Sequence, residues 1–163
     1  MDVLAAEVGA LLKSHGLMLA TAESCTGGGV AQAITEVAGS SAWFERGFVT
    51  YSNLSKQQML GVRETTLTQY GAVSEMTVRE MVAGALQHSA AQVALAVSGI
   101  AGPDGGTADK PVGLVWFAWG IKHGETHAQR HQLSGNRAEV RAQAVSIALQ
   151  GIINLLNQLT KMA

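Results

Sequence analysis

The order of apolar patterns predicts an α/β fold, specifically a three-layer α/β/α domain around a mixed sheet. Three observations carry that prediction. Runs at helical spacing alternate with short apolar or β-branched runs. Val93-Ala94-Leu95-Ala96-Val97 is apolar on both faces, as a strand covered by helices on two sides must be. The last two strand-like runs, Val112 to Ile121 and the segment through Leu133, are separated by the turn Lys122-His123-Gly124-Glu125, which adds an antiparallel hairpin.

Composition sets limits on function. A chain of 163 residues with 47% hydrophobic and 14% charged side chains fits one domain, residues 1–163, with a full-sized core. The formal charge of -1 gives no broad basic footprint, so no nucleic acid or anionic membrane is expected as a partner. Asp2-Val3-Leu4-Ala5-Ala6-Glu7 is acidic and amphipathic, and no apolar run approaches the ~20 residues of a membrane span. A cytoplasmic location follows as the expectation. Cys25 is the one cysteine, which excludes an internal disulfide and a multi-cysteine zinc site.

Val3, Leu4, Val8, Leu11 and Leu12 repeat at helical spacing until Gly16, so the first element is a helix packed by one face. Leu17 to Ala20 reads as a buried strand. The pattern then breaks into Thr21-Ala22-Glu23-Ser24-Cys25-Thr26-Gly27-Gly28-Gly29, a loop of hydroxyls, one thiol and three glycines. Val30, Ala33, Ile34 and Val37 resume helical spacing, so the loop should end on a helix N-terminus whose free N–H groups suit an anion. After the turn at Gly39-Ser40-Ser41, Phe48 to Tyr51 is β-branched and aromatic, a second strand with Tyr51 at its end. Ser52 or Asn53 then caps a short helix that carries Lys56 and stops at Gly61. A shorter helical piece ends at Gly71, and Ser74 opens a longer helix with Met76, Val78, Met81, Val82, Ala85 and Leu86 as apolar positions. The Val93 strand feeds a second glycine-rich loop, Ser98 to Gly106. Asn136 and Glu139 form a capping-box pattern ahead of a long last helix.

Three loops at the carboxyl ends of strands, after Ala20, Thr50 and Val97, hold most of the unusual polar residues, and that is where ligands bind in open α/β sheets. A serine needs a base, and with no histidine near these loops Lys56 is the available one. Moving a lysine pKa from ~10.4 to ~7.5 costs about 4 kcal/mol, within reach of burial and nearby positive potential. The N–H groups around Cys25, Thr26, Gly27 and Gly28 are the natural donors to an oxyanion. Cys25 competes with Ser24 as nucleophile, since a thiolate at a helix N-terminus would be activated. Neither glycine loop carries the Gly-Lys-Ser/Thr ending of a phosphate loop.

Thr21 to Gly28, Tyr51-Ser52-Asn53 with Lys56, Gly71-Ala72-Val73-Ser74-Glu75, and Gly99 to Gly106 followed by Lys110-Pro111-Val112-Gly113 together resemble the CinA C-terminal domain family. The resemblance covers essentially the whole chain. It implies an amidohydrolase that deamidates nicotinamide mononucleotide to nicotinate mononucleotide and ammonia, with no metal and no cofactor. Ser24, Tyr51 and Lys56 match the family's catalytic positions, which favours Ser24 over Cys25. Tyr51 either relays the proton or fixes the lysine. Ser98, Gly99, Gly102, Asp104, Gly105 and Gly106 are then substrate-binding candidates, with Arg137 or Arg141 as the phosphate's charged partner. Ser98 stands where the family often has threonine, and Asn136 precedes Arg137 where an aspartate is common. The partner is thus a pyridine mononucleotide, and the sheet edges and apolar last helix suggest a homo-oligomer. The same residues also fit a pocket that holds the nucleotide without turnover, or an amidase for another small nucleotide amide.

His123, His127 and His131 recur every four residues without the carboxylate pattern of a metal site, and Trp43, Trp116 and Trp119 read as core or interface.

Overall fold

The computed structural model describes residues 2–162; positions 1 and 163, the two ends of the expected domain, lie outside the described residues. Five strands form one sheet in the order β2-β1-β3-β4-β5. They are β1 (Leu19–Glu23), β2 (Phe44–Val49), β3 (Val93–Gly99), β4 (Leu114–Ile121) and β5 (Thr126–Gln132). β1 pairs in parallel with β2 and β3, while β4 and β5 add an antiparallel hairpin, so the sheet is mixed as the sequence predicts.

Among the described residues six α-helices cover it. α1 (Asp2–His15), α2 (Gly29–Thr35) and α6 (Arg137–Met162) lie on one face; α3 (Asn53–Leu60), α4 (Glu64–Tyr70) and α5 (Glu75–Gln87) lie on the other. The strand alternation explains the two faces. Leu19, Val93, Leu95, Val97, Val115 and Phe117 pack against α1, α2 and α6, whereas Ala20, Ala22, Ala94, Ala96 and Ala118 make an alanine floor beneath α5. Trp43 and Trp119 are buried in the first cluster and Trp116 packs against the second, so all three tryptophans serve the core.

Several strand limits differ from the sequence expectation: β3 runs on through Ser98 and Gly99, β4 starts at Leu114, and β1 and β2 shift at both ends. β1 begins at Leu19 and continues through Thr21, Ala22 and Glu23, which the sequence reading left in the loop. The Thr21 and Glu23 side chains are fully buried, because the strand sits between β2 and β3 and Glu23 spends its carboxylate on the next helix. β2 starts at Phe44 and ends at Val49, so Tyr51 lies two residues beyond it. The chain leaves β1 towards β2 on one side and later returns to β3 on the other. The carboxyl ends of β1 and β3 therefore flank the point where strand order reverses, and a crevice opens there.

Candidate active site

Ser24 is the first residue after β1. Its N–H donates to the Val97 carbonyl of β3 at 2.9 Å, which fixes the start of the loop to the neighbouring strand. Gly27 and Gly28 then take φ of 59° and 99°, left-handed values that reverse the chain into α2 within four residues. The α2 N-terminus is already occupied. Glu23 accepts from Val30 N at 2.9 Å and Ala31 N at 3.0 Å, so the anion that suits this helix is the protein's own carboxylate, which corrects the expectation of free N–H groups for substrate.

Lys56 reaches Ser24 from the opposite layer. Ser52 caps α3 through a capping box with Ser55, and this sets the helix so that Lys56 points back under the sheet's edge. Its Nζ donates to Ser24 Oγ at 2.9 Å and to the Thr50 carbonyl at 2.9 Å. The lysine is 1% exposed and has no carboxylate among these partners. Burial therefore lowers its pKa below the usual 10.5, towards the neutral amine. Burial is the cause, opposed by the nearby Cys25.

Cys25 is a different case. Burial pushes its thiol up to about 11, so it stays protonated where a nucleophile would need to ionise, contrary to the activation a helix N-terminus suggested. The nearby Glu23 carboxylate adds to the rise, while Arg141 and Lys56 oppose it without overcoming burial.

Ser24, Cys25, Tyr51, Lys56, Ser98, Gly99, Gly102, Asp104, Gly105 and Arg137 line one cleft of roughly 270 Å³ at the reversal point. Arg137, in the first turn of α6, donates to the Gly102 carbonyl at 2.8 Å and to the Tyr51 hydroxyl at 2.9 Å, tying two loops together across the mouth. Tyr51 is thus bonded to Arg137 and not to Lys56. Asn136, standing where an aspartate is common, caps α6 by exchanging bonds with Glu139 at 2.9 Å in both directions.

Five candidates fall outside the cleft lining. Thr26, Gly27 and Gly28 lie behind it in the Ser24 loop, and Gly106 packs against Val112, where a Cβ would come 2.8 Å from the backbone nitrogen. Arg141 holds the Ser24 loop itself, donating to the carbonyls of Cys25 at 3.1 Å and Thr26 at 3.2 Å. Conversely, Asn53, Ala72, Val73, Ile100 and Ala101 line the cleft unpredicted. Ala72 and Val73 belong to a stretch singled out in the sequence, but nothing in their chemistry marked them as pocket walls. A second depression of similar size, at Trp119, His127 and Gln158, holds no nucleophile beside a base. Among the described residues no group of three His, Cys, Asp or Glu side chains is placed to hold a metal ion. No described helix is long and apolar enough to cross a membrane.

The family model of the CinA C-terminal domain matches residues 1–156. The curated nicotinamide-nucleotide amidohydrolase PncC of Escherichia coli K12 is 59% identical over 147 residues, covering 90% of this chain and 89% of that protein. The one from Pseudomonas putida is 53% identical over 155 residues, covering 95% and 96%. Among solved structures, the competence/damage inducible protein CihA from Agrobacterium tumefaciens superposes with a TM-score of 0.93 at 48% identity, covering 96% of this chain and 94% of that one.

Proposed function

The chain belongs to the CinA C-terminal domain family, and from that premise we propose that it is a nicotinamide-nucleotide amidohydrolase working through Ser24 and Lys56. The observation that carries the mechanism is the 2.9 Å contact between Lys56 Nζ and Ser24 Oγ, with both side chains buried. Neutral Lys56 takes the Ser24 proton while the Thr50 carbonyl holds its amine in place. Ser24 Oγ then bonds to the carboxamide carbon, and the former carbonyl oxygen becomes an oxyanion. As that intermediate collapses, the C–N bond breaks and the proton on Lys56 leaves with the nitrogen as ammonia. Water, deprotonated by the same lysine, hydrolyses the remaining ester and frees the carboxylate product.

Substrate fit supports a mononucleotide. Arg137 supplies a cation at the mouth, and its bond to Tyr51 leaves the tyrosine's own proton free to donate to the substrate. Gly102, Asp104 and Gly105 form the facing wall. Ser98, 1% exposed at the end of β3, lines the same cleft. A cytoplasmic, single-domain protein belongs to the same reading, as does a homo-oligomer, for which exposed Val49 on the open β2 edge and exposed Leu54 and Met59 on α3 are the support.

The test is ammonia release from nicotinamide mononucleotide by purified protein treated with chelator, beside Ser24→Ala, Lys56→Met and Cys25→Ala. Activity should survive chelation and Cys25→Ala, and fall by at least ~10³ in the other two. A folded protein that binds the nucleotide and releases no ammonia would instead be a binding module. Preference for nicotinamide or the dinucleotide over the mononucleotide would redirect the substrate.

A further inference from the structure

We infer that Arg141 is the positioning residue of the oxyanion site and not a ligand of the substrate. The inference rests on the amidase reading above and concerns the peptide groups that follow Ser24. A trans peptide points its N–H away from its C=O, and among the described residues only Gly102-Pro103 is cis. Each carbonyl held on one side of the loop therefore turns the next residue's N–H to the other.

The three carbonyls are all held. Ser24 O accepts from Gly27 N at 3.0 Å, Cys25 O from Arg141 Nε at 3.1 Å, and Thr26 O from Arg141 Nη2 at 3.2 Å and Gly29 N at 3.0 Å. The Gly27 N–H is spent on Ser24. Among the described residues nothing accepts from the N–H groups of Cys25 and Thr26, which are the two that follow the nucleophile. Of the two, Cys25 lines the cleft and Thr26 does not, so the Cys25 N–H is the donor for the oxyanion. Arg141 grips the Cys25 carbonyl and so fixes this residue's backbone, and with it the direction of its N–H.

Two further observations favour this role over substrate binding. Arg141 is absent from the cleft lining, whereas Arg137, one helical turn earlier, is part of it. The loop is shaped to admit the guanidinium, because a Cβ on Gly27 would come 3.3 Å from Arg141 Nη2.

The experiment is steady-state kinetics on nicotinamide mononucleotide with Arg141→Met and Arg141→Lys, together with binding of nicotinate mononucleotide and thermal melting. Misdirecting one donor should lower kcat about ten- to a hundredfold in Arg141→Met, while KM and product Kd stay within about threefold. Arg141→Lys, which keeps the charge and can reach one carbonyl, should recover most of the lost kcat. The shape of the pH profile should not change, since Lys56 is untouched. A rise in KM and product Kd with kcat retained would make Arg141 a substrate ligand and overturn the inference. Unchanged kinetics in a folded Arg141→Met would overturn it as well, and so would Arg141→Lys matching the methionine variant in kcat. Failure of the wild type to release ammonia would instead remove the amidase reading itself.

Discussion

At the scale of single residues, the site rests on a lysine held where lysine is costly. Lys56 is 1% exposed with two neutral acceptors, and its lowered pKa means that the unfolded chain binds more protons than the folded one between that value and 10.5. Stability must rise with pH across that window. Cys25 acts in the opposite sense. Its thiol is raised from 9.0 to about 11, so its contribution is complete below 9.0 and is lost as pH climbs through about 11. Below pH 9.0 the lysine slope stands alone. Urea unfolding of the wild type should therefore gain stability relative to Lys56→Met as pH rises from the lowered lysine value towards 9.0, by at most ~1.4 kcal/mol per pH unit. kcat/KM should climb as pH rises through that lowered value and the amine becomes neutral. Parallel pH curves for the two proteins would mean that Lys56 titrates as an ordinary surface lysine, and the base would have to be sought elsewhere.

Elements place these residues, and here the sequence was legible to different depths. Helical and strand periodicity found every strand and α-helix, and local spacing marked the caps Ser74 and Asn136 and narrowed that of α3 to Ser52 or Asn53, of which Ser52 is the one used. The β1 end escaped it, since Thr21 and Glu23 look like loop residues until the flanking strands bury them. The partners of Glu23 and Arg141 escaped it as well. Glu23 reaches seven and eight residues ahead, and Arg141 reaches back over more than a hundred, distances at which no pattern in one sequence reports a contact. The proposed nucleophile and base were legible by resemblance, and their contact joins elements on either side of the sheet. Glu23→Ala would leave the Val30 and Ala31 amides without an acceptor and remove the charge facing the α2 terminus. The expected loss is about 2–4 kcal/mol, seen as a lower urea midpoint at unchanged m-value. Glu23→Gln keeps one acceptor oxygen and should lose roughly half as much. Equal midpoints for wild type and Glu23→Ala would show that water replaces the carboxylate at the helix end.

For the whole molecule, the two helical layers do different jobs, and glycine contacts on each side separate them. On the α5 face, Gly84 lies against the end of α3, and a Cβ there would be 1.8 Å from the Leu60 carbonyl oxygen. Leu60 is one turn from Lys56 on the same short helix. Gly84→Ala must push α3 away from α5 and so draw Lys56 from Ser24. On the other face, a Cβ at Gly151 would be 1.9 Å from Trp119 Cε2, whose indole N–H donates to Ala148 at 2.8 Å. That clash sits about 21 Å along α6 from Arg137, at a rise of ~1.5 Å per residue. Both substitutions overpack a core and should cost about 2–3 kcal/mol or more. Their kinetics should diverge: Gly84→Ala should lose at least ~10-fold in kcat at a temperature where it is folded, because reacting groups tolerate little displacement. Gly151→Ala should keep kcat within about twofold of wild type, since α6 is anchored near its N-terminus by Arg137, Arg141 and the Asn136 cap. Equal kcat losses in the two variants would mean that the layers move as one body and that Lys56 is not set by the α3 to α5 contact.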